Sequence, residues 1–394
     1  MLRNLLLCAT LLLLVMAVAP VLADPIIGGC QIFPLDNAWN TDISAALVHP
    51  DSAAYIANIN SNGGTTLHAD FGSDPTYGIP YTTVTGTQAK RSVIFDYADE
   101  SDVGPYPIPP NPPIESGSDH HILIIETTNC ILYELYDASY VSSQWYAGSG
   151  AIFNLGSNAL RPDGWTSADA AGLPILPGLA RCDEANSGTI THALRFTVDS
   201  TQRAYIYPAT HFASSITDTS YPPMGLRLRL KADYDLSGLT GQALAVAHAL
   251  QTYGMILADN GSNWFISGEN NPDCWNDDQL NALKDIPGTA FDVIVSPQPP
   301  SEVRVPTRNA FDTATPTLTW SRIAWAVQYQ IQISNQSQFP SGNATLGDTV
   351  EANALSYTAL SPLANGVYYW RVRALDTTGT PSAWSAVETF SIQA

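Results

Sequence analysis

At 394 residues, 45% of them apolar and 10% aromatic, the chain is long enough for two or three domains and apolar enough to bury a large core, which excludes a disordered polymer. Its Lys and Arg number 16 against 36 Asp and Glu, a net charge of −20, and only Lys90, Lys231 and Lys284 are lysines. Such a surface repels phosphate backbones, so nucleic acid is excluded as a partner.

The first 23 residues carry Arg3, a leucine-rich run and small residues ending at Ala23, the pattern of a cleaved secretory signal. No later run is long and apolar enough to insert in a membrane once that signal is removed, so the expected location is extracellular. The remaining cysteines, Cys30, Cys130, Cys182 and Cys274, are even in number and contain no C-x-x-C pair. In an exported chain they predict two disulfides, with three pairings open.

Residues 24–295 read as a β-rich main domain, a sandwich or jelly-roll with long loops and a few short helices. A short helix follows Asp51. Strands are expected at 92–97, 120–126, 131–136, 193–198, 203–207 and 226–231. The Pro-rich piece 104–117 reads as polyproline II, a rigid brace for a sheet or a ligand for another module. Helix periodicity covers Thr240–Tyr253, with Gly254 as its stop, and a second helix starts at Asn276, with Gln279 as capping-box partner. Between them, MILADNGSNWFISG holds Asn260-Gly261, the signature of a tight β-hairpin.

Nucleophile elbows, H-E-x-x-H and Gly-rich phosphate loops are missing from the sequence, and its seven histidines are scattered, so no metal and no cofactor is expected. Carboxylates and histidines beside aromatic residues remain as candidates. Period two along Ile131–Tyr136 puts Leu132, Glu134 and Tyr136 on one face, so Glu134 either lines a cleft, where burial raises its pKa toward that of a general acid, or stands in solvent on an edge strand. His120 and His121 fall on opposite faces, and His121 is either a ligand-binding residue or a core histidine bonded to backbone. The irregular stretch 160–179, LRPDGWTSADAAGLPILPGL, sets Trp165 between Asp163 and Asp169. A flat indole beside two carboxylates suits a sugar, whereas a loop that merely plugs a sheet edge would use the same residues for packing and turn caps. Downstream, His192 is a candidate base or orienting residue. Arg195 either contacts substrate or closes an ion pair with Asp183 or Glu184. Tyr207, Trp264 and Trp275 complete the expected aromatic surface. The catalytic candidates are thus Glu134, Asp163, Asp169 and His192, and the substrate-binding candidates are Trp165, His121, Arg195, Tyr207 and Trp264.

The stretches RPDGWTSADAAGLPILPGL, THALRF and YGMILADNGSNWFISG make the main domain resemble an uncharacterised group of secreted bacterial proteins, which implies an extracellular setting and no particular activity. A Pro-rich linker at 296–306 then separates residues 307–394. There Trp320, Tyr368 ahead of the "WRVRA" strand, and Trp384-Ser385 resemble a fibronectin type III module. That resemblance implies a β-sandwich acting as a spacer or surface-binding unit. The combined expectation is a polysaccharide-active enzyme, a glycoside hydrolase using paired carboxylates, acting on a polysaccharide or cell-surface glycan. A lyase fits less well in a chain so poor in lysine, and the alternative is a non-catalytic carbohydrate-binding or adhesive protein. Nothing in the sequence sets an oligomeric state.

Overall fold

The computed structural model describes residues 25–295 and, within 310–393, all but 321–327, 338, 340–345, 352–355, 376–380, 383 and 386. The expected signal, residues 1–23, and the linker, 296–306, lie outside the described residues. Hydrophobic cores with no residue in common occupy residues 25–295 and 310–393, and both regions are mainly β.

The main region is organised by two sheets. A six-stranded sheet runs in the order Phe291–Val293, Arg227–Leu230, Met255–Asn260, Leu194–Val198, Phe265–Ile266, His68–Ala69. A four-stranded sheet runs Ser149–Asn154, Ile131–Tyr136, Ile122–Glu126, Tyr81–Val84. Parallel pairs occur in both, which distinguishes them from the sheets of a purely antiparallel sandwich. The four-stranded sheet is buried on both faces. Leu123, Ile125 and Leu132 enter the main core, while Ile122, Ile124, Tyr133 and Leu135 meet Tyr106, Ile108 and Trp145 in a second one. Its two inner strands accordingly read as near-continuous apolar runs.

The expected helices are present as Ser52–Ser61, Gly241–Thr252 and Asp277–Leu280. Ala243, Val246, Ala247 and Leu250 bury the inner face of the second, and Gly254 follows it at φ 70°, where a Cβ would collide with the Leu228 carbonyl oxygen. Asn276 Oδ1 accepts the Gln279 N–H at 3.1 Å, as a cap should, but the Gln279 side chain accepts from the Gln242 N–H instead of completing the box. The strands expected at 92–97, 120–126, 131–136, 193–198 and 226–231 are all found, whereas 203–207 contributes only an isolated bridge from Tyr205 to Met224.

The hairpin expected around Asn260-Gly261 does not form. Met255–Asn260 pairs in parallel with Leu194–Val198, and Phe265–Ile266 lies on that strand's opposite edge, so an earlier strand separates the two arms. Local turn chemistry favoured the hairpin, but a long-range partner supplied the hydrogen bonds. The cysteines pair as Cys30–Cys130 and Cys182–Cys274, closing loops of 100 and 92 residues.

The C-terminal unit is a fibronectin type III-like β-sandwich. One sheet orders Ala310–Phe311, Glu388–Ile392, Gly366–Leu375, Gln328–Ser334 and Leu346–Glu351, and the other pairs Thr317–Thr319 with Ser356–Thr358. Trp320, Tyr329, Ile331, Trp370 and Phe390 fill its core, and the Tyr368 hydroxyl donates to the Ala364 carbonyl at 3.1 Å, as a tyrosine corner does.

Candidate functional site

One face of the six-stranded sheet is polar. Register aligns His68, Phe265, Thr197 and Asp259 across four adjacent strands. Two residues along, Arg195 and Ser267 continue the same face, while the intervening Phe196 and Ile266 point into the core. Arg195 is held on every side. Nε and Nη2 form a fork on Asp169 at 2.7 and 2.8 Å, Nη2 reaches Asp259 at 3.2 Å, and Nη1 donates to Ser267 Oγ at 2.7 Å. Burial alone would lower its pKa, but Asp169 and the other carboxylates raise it, so it stays charged.

Over this face lies the irregular segment 160–179, packed and not open. Ala168, Ala171, Leu173, Ile175 and Leu176 are core residues, and the Ala171 N–H bonds the Ala258 carbonyl at 2.9 Å. The segment delivers the Ile175 and Leu176 N–H groups to Glu134, at 2.9 to 3.0 Å. Glu134 is fully buried on an inner strand, which corrects the edge-strand alternative. Burial raises its pKa to about 7 in spite of those donors.

His121 faces the same cluster. Its Nε2 lies 3.0 Å from the Ala168 carbonyl and its Nδ1 bonds Glu115. Both neighbours are acceptors, so both ring nitrogens carry protons. Burial works against that charge, but Glu115 outweighs it and the His121 pKa rises.

Of the carboxyls gathered here, solvent reaches three. The Asp259 side chain is 24% exposed and that of Glu115 16%, and Asp70, next to the His68–Ala69 strand, is exposed. Asp259 is raised to about 7, by burial first and then by the charge of Asp169. Asp70 is raised more modestly, by partial burial and Glu115 against the pull of Arg195. Beside them the rings of His68 and Phe265 stack with centroids 4.8 Å apart and planes 2° from parallel, both half-exposed. The arrangement combines a flat aromatic edge, a reachable carboxyl that is protonated near neutrality, and further carboxylates over a fixed floor of Arg195, Asp169 and His121. It can bind hydroxyl-rich ligands and exchange protons with them.

The other expected site residues are placed elsewhere or are spoken for. Asp169 and Arg195 join the cluster as a buried pair, and the partners expected for Arg195, Asp183 and Glu184, belong instead to Arg181. His192 is buried between the Ala193 carbonyl at 2.8 Å and Glu184 at 3.1 Å, apart from the Arg195 cluster's hydrogen bonds. Asp163 is exposed on another part of the loop, accepting the Tyr205 hydroxyl at 2.6 Å. Trp165 is half-buried against the Arg161 guanidinium, 5.6 Å from ring centre to Cζ, and does not stand between two free carboxylates.

Trp264 and Trp275 are corrections too. Both are buried, their indole N–H groups donating to Asn60 and to the Glu269 carbonyl, so neither offers a stacking face. Tyr207 borders a small cavity of about 30 Å³ with Trp39, Phe153 and Arg161, away from the carboxyls. Asp259, Glu115, Asp70, Phe265 and His68 were not singled out in the sequence. Asp259 was hidden by its place before Asn260-Gly261, where it reads as part of a turn. Among the described residues no three His, Cys, Asp or Glu side chains are set to hold a metal ion, and no helix is long and apolar enough to cross a membrane.

Residues 305–393 match the family described as Rha78A-like, N-terminal immunoglobulin domain. Among solved structures, the chain is similar to an Fn3-like protein from Clostridium thermocellum, at 21% identity over 25% of this chain and 95% of that one, TM-score 0.20. It is similar also to alpha-L-rhamnosidase from Dictyoglumus thermophilum, at 19% identity over 24% of this chain and 12% of that one, TM-score 0.21. A third is Streptomyces avermitilis alpha-L-rhamnosidase complexed with L-rhamnose, at 27% identity over 24% of this chain and 10% of that one, TM-score 0.17. No curated protein matches the chain.

Proposed function

We propose that the protein is a secreted glycoside hydrolase acting on a polysaccharide or cell-surface glycan, with its reacting groups on the polar face of the six-stranded sheet. The observation that carries this reading is Asp259: a reachable carboxyl, raised to about 7, held by Arg195 beside further carboxyl groups. Glycoside hydrolysis asks for two carboxyl groups, one protonated and one ionised. Asp259 donates its proton to the departing glycosidic oxygen. Asp70, exposed on the same face, meets the anomeric carbon as nucleophile or through a water it deprotonates. Phe265 and His68 present the flat surface on which a sugar ring lies. Arg195 and Asp169, being buried, act as positioning residues. Glu134 and His192, expected as catalytic, are assigned structural roles.

In this reading residues 1–23 are a cleaved export signal, 24–295 the catalytic domain, 296–306 a linker and 307–394 an accessory module. The match of that module to a Rha78A-like domain family, and the alpha-L-rhamnosidases among the similar structures, accord with a glycosidase context. Two disulfides accord with an oxidising compartment.

The test is a panel of polysaccharides incubated with the purified protein and with Asp259→Asn, with new reducing ends followed by mass spectrometry. Release by the parent that falls about 100-fold or more in the variant is expected for loss of a general acid. A parent that retains a glycan without cleaving it is a carbohydrate-binding protein, and the hydrolase reading fails.

A further inference from the structure

The fibronectin type III-like module carries a second polar surface. On one face of its larger sheet, Gln332 stands opposite Arg371 and Gln330 opposite Arg373. Gln332 Oε1 accepts from Arg371 Nε and Nη2 at 3.0 and 2.8 Å, and Gln330 Oε1 accepts from Arg373 Nε at 2.7 Å. The guanidiniums alternate with rings. Arg371 Cζ lies 4.3 Å from the Phe339 centroid and 4.5 Å from that of Trp384, and Arg373 Cζ lies 4.4 Å from Trp384. The order is ring, cation, ring, cation, and the last cation borders an open groove.

That groove, about 420 Å³, is lined by Gln330, Gln332, Gly347, Thr349, Arg373 and Trp384. Asp348 also borders it, but it pairs opposite Ile331, a core residue, and hydrogen-bonds Tyr357 of the other sheet, so its carboxylate belongs to the far side. Amide oxygens and ring faces orient the two arginines without cancelling their charge. Burial lowers both guanidinium pKa values, and Arg373 lowers that of Arg371 further, with no carboxylate among the described residues acting in the opposite direction. In a chain of net charge −20, two cations with no acid paired to them among the described residues stand out from the general surface.

We propose that this groove binds a carboxylate-bearing glycan, a uronic-acid oligosaccharide, with the carboxylate on the outer edge of Arg373 and the hydroxyls on the Gln330 and Gln332 amides and Thr349. Arg373 has used Nε on Gln330, which leaves its Nη groups as the paired donors that a carboxylate takes. The flanking groups are amides and a hydroxyl, which suit a sugar's hydroxyls. A pocket for an apolar peptide side chain is not among them. The proposal stands apart from the hydrolase site, since its residues all lie in the C-terminal module.

Calorimetric titration of the full chain with trigalacturonic acid and with its methyl ester tests it. The Asp259→Asn background is used, so that turnover does not consume the probe. Binding of the acid, little binding of the ester, and weakening of about tenfold or more in Arg373→Gln are expected. Arg373→Gln also removes a rung of the stack, so Gly347→Glu is the second variant. A Cβ at Gly347 meets nothing nearer than the Ile331 carbonyl oxygen at 3.8 Å, so the new carboxylate enters the groove without disturbing the sheet. It should abolish binding at an unchanged melting temperature. Equal binding of acid and ester, no heat from the acid, or a Gly347→Glu variant that binds like the parent would each overturn the proposal.

Discussion

Arg195 in the main region and Arg371 in the C-terminal module are both arginines on an inner strand of a sheet, and their surroundings differ in one respect. Arg195 is buried, and three acidic or hydroxyl side chains, Asp169, Asp259 and Ser267, close around it. Arg371 is half-exposed and is held by two rings and a neutral amide. A charge taken out of water needs a counter-charge with good geometry, because its lost hydration is worth several kcal/mol. At a wet surface, ring faces and an amide suffice. The first arrangement fixes a fold and sets the protonation of its neighbours, and the second orients a guanidinium without neutralising it.

Removing each arginine tests that contrast. Arg195→Met leaves Asp169 buried without its hydrogen-bonded ion-pair partner and should cost about 3–5 kcal/mol in urea unfolding of the main region. A loss below about 1 kcal/mol would mean the cluster is solvated and the contrast is false. Arg371→Met should cost about 1 kcal/mol or less, measured on the same chain by the unfolding of the C-terminal module.

Between these extremes lies the effect of pH. Glu134 and Asp259 are raised to about 7 in the folded chain, so it holds protons that the unfolded chain has released. Their stabilisation is complete below the ordinary carboxyl range, about pH 4, and is lost as pH rises to about 7. The raised His121 adds to it with the same sign, its contribution fading at higher pH. Melting curves collected from pH 4.5 to 7.5 should therefore show falling stability, and Glu134→Gln should flatten the slope. An unchanged slope in the variant would assign the dependence to other groups.

Trp165→Ala should likewise cost less than Arg195→Met. Half-buried against Arg161, the indole should contribute about 1–2 kcal/mol to stability through area and cation–π contact, with glycan turnover unaffected. A loss of turnover in a variant that still melts normally would return the loop 160–179 to the substrate surface.

Much of the scaffold follows from local sequence. Alternation along Ile131–Tyr136 put Leu132 and Glu134 on one face and Tyr133 and Leu135 on the other, and the two cores divide them that way. An even cysteine count in a chain expected to be exported implied two disulfides, the helix Gly241–Thr252 was marked by its periodicity and its glycine, and Trp320, Tyr368 and Trp384-Ser385 pointed to the C-terminal sandwich. The strand alternation and the helix rest on residues a few positions apart, where backbone geometry repeats at a known period.

The site depends on pairings that no local pattern contains. Asp259 reads as a turn residue until a parallel partner, Leu194–Val198, carries it onto the same face as Arg195. Which carboxylate Arg195 takes, Asp169 and not Asp183 or Glu184, depends on a loop folding back over the sheet. Whether Glu134 is in solvent or fully buried depends on Ser149–Asn154 covering its strand. Desolvation and Coulomb energy act through space, so the protonation of these groups is a property of the tertiary structure alone.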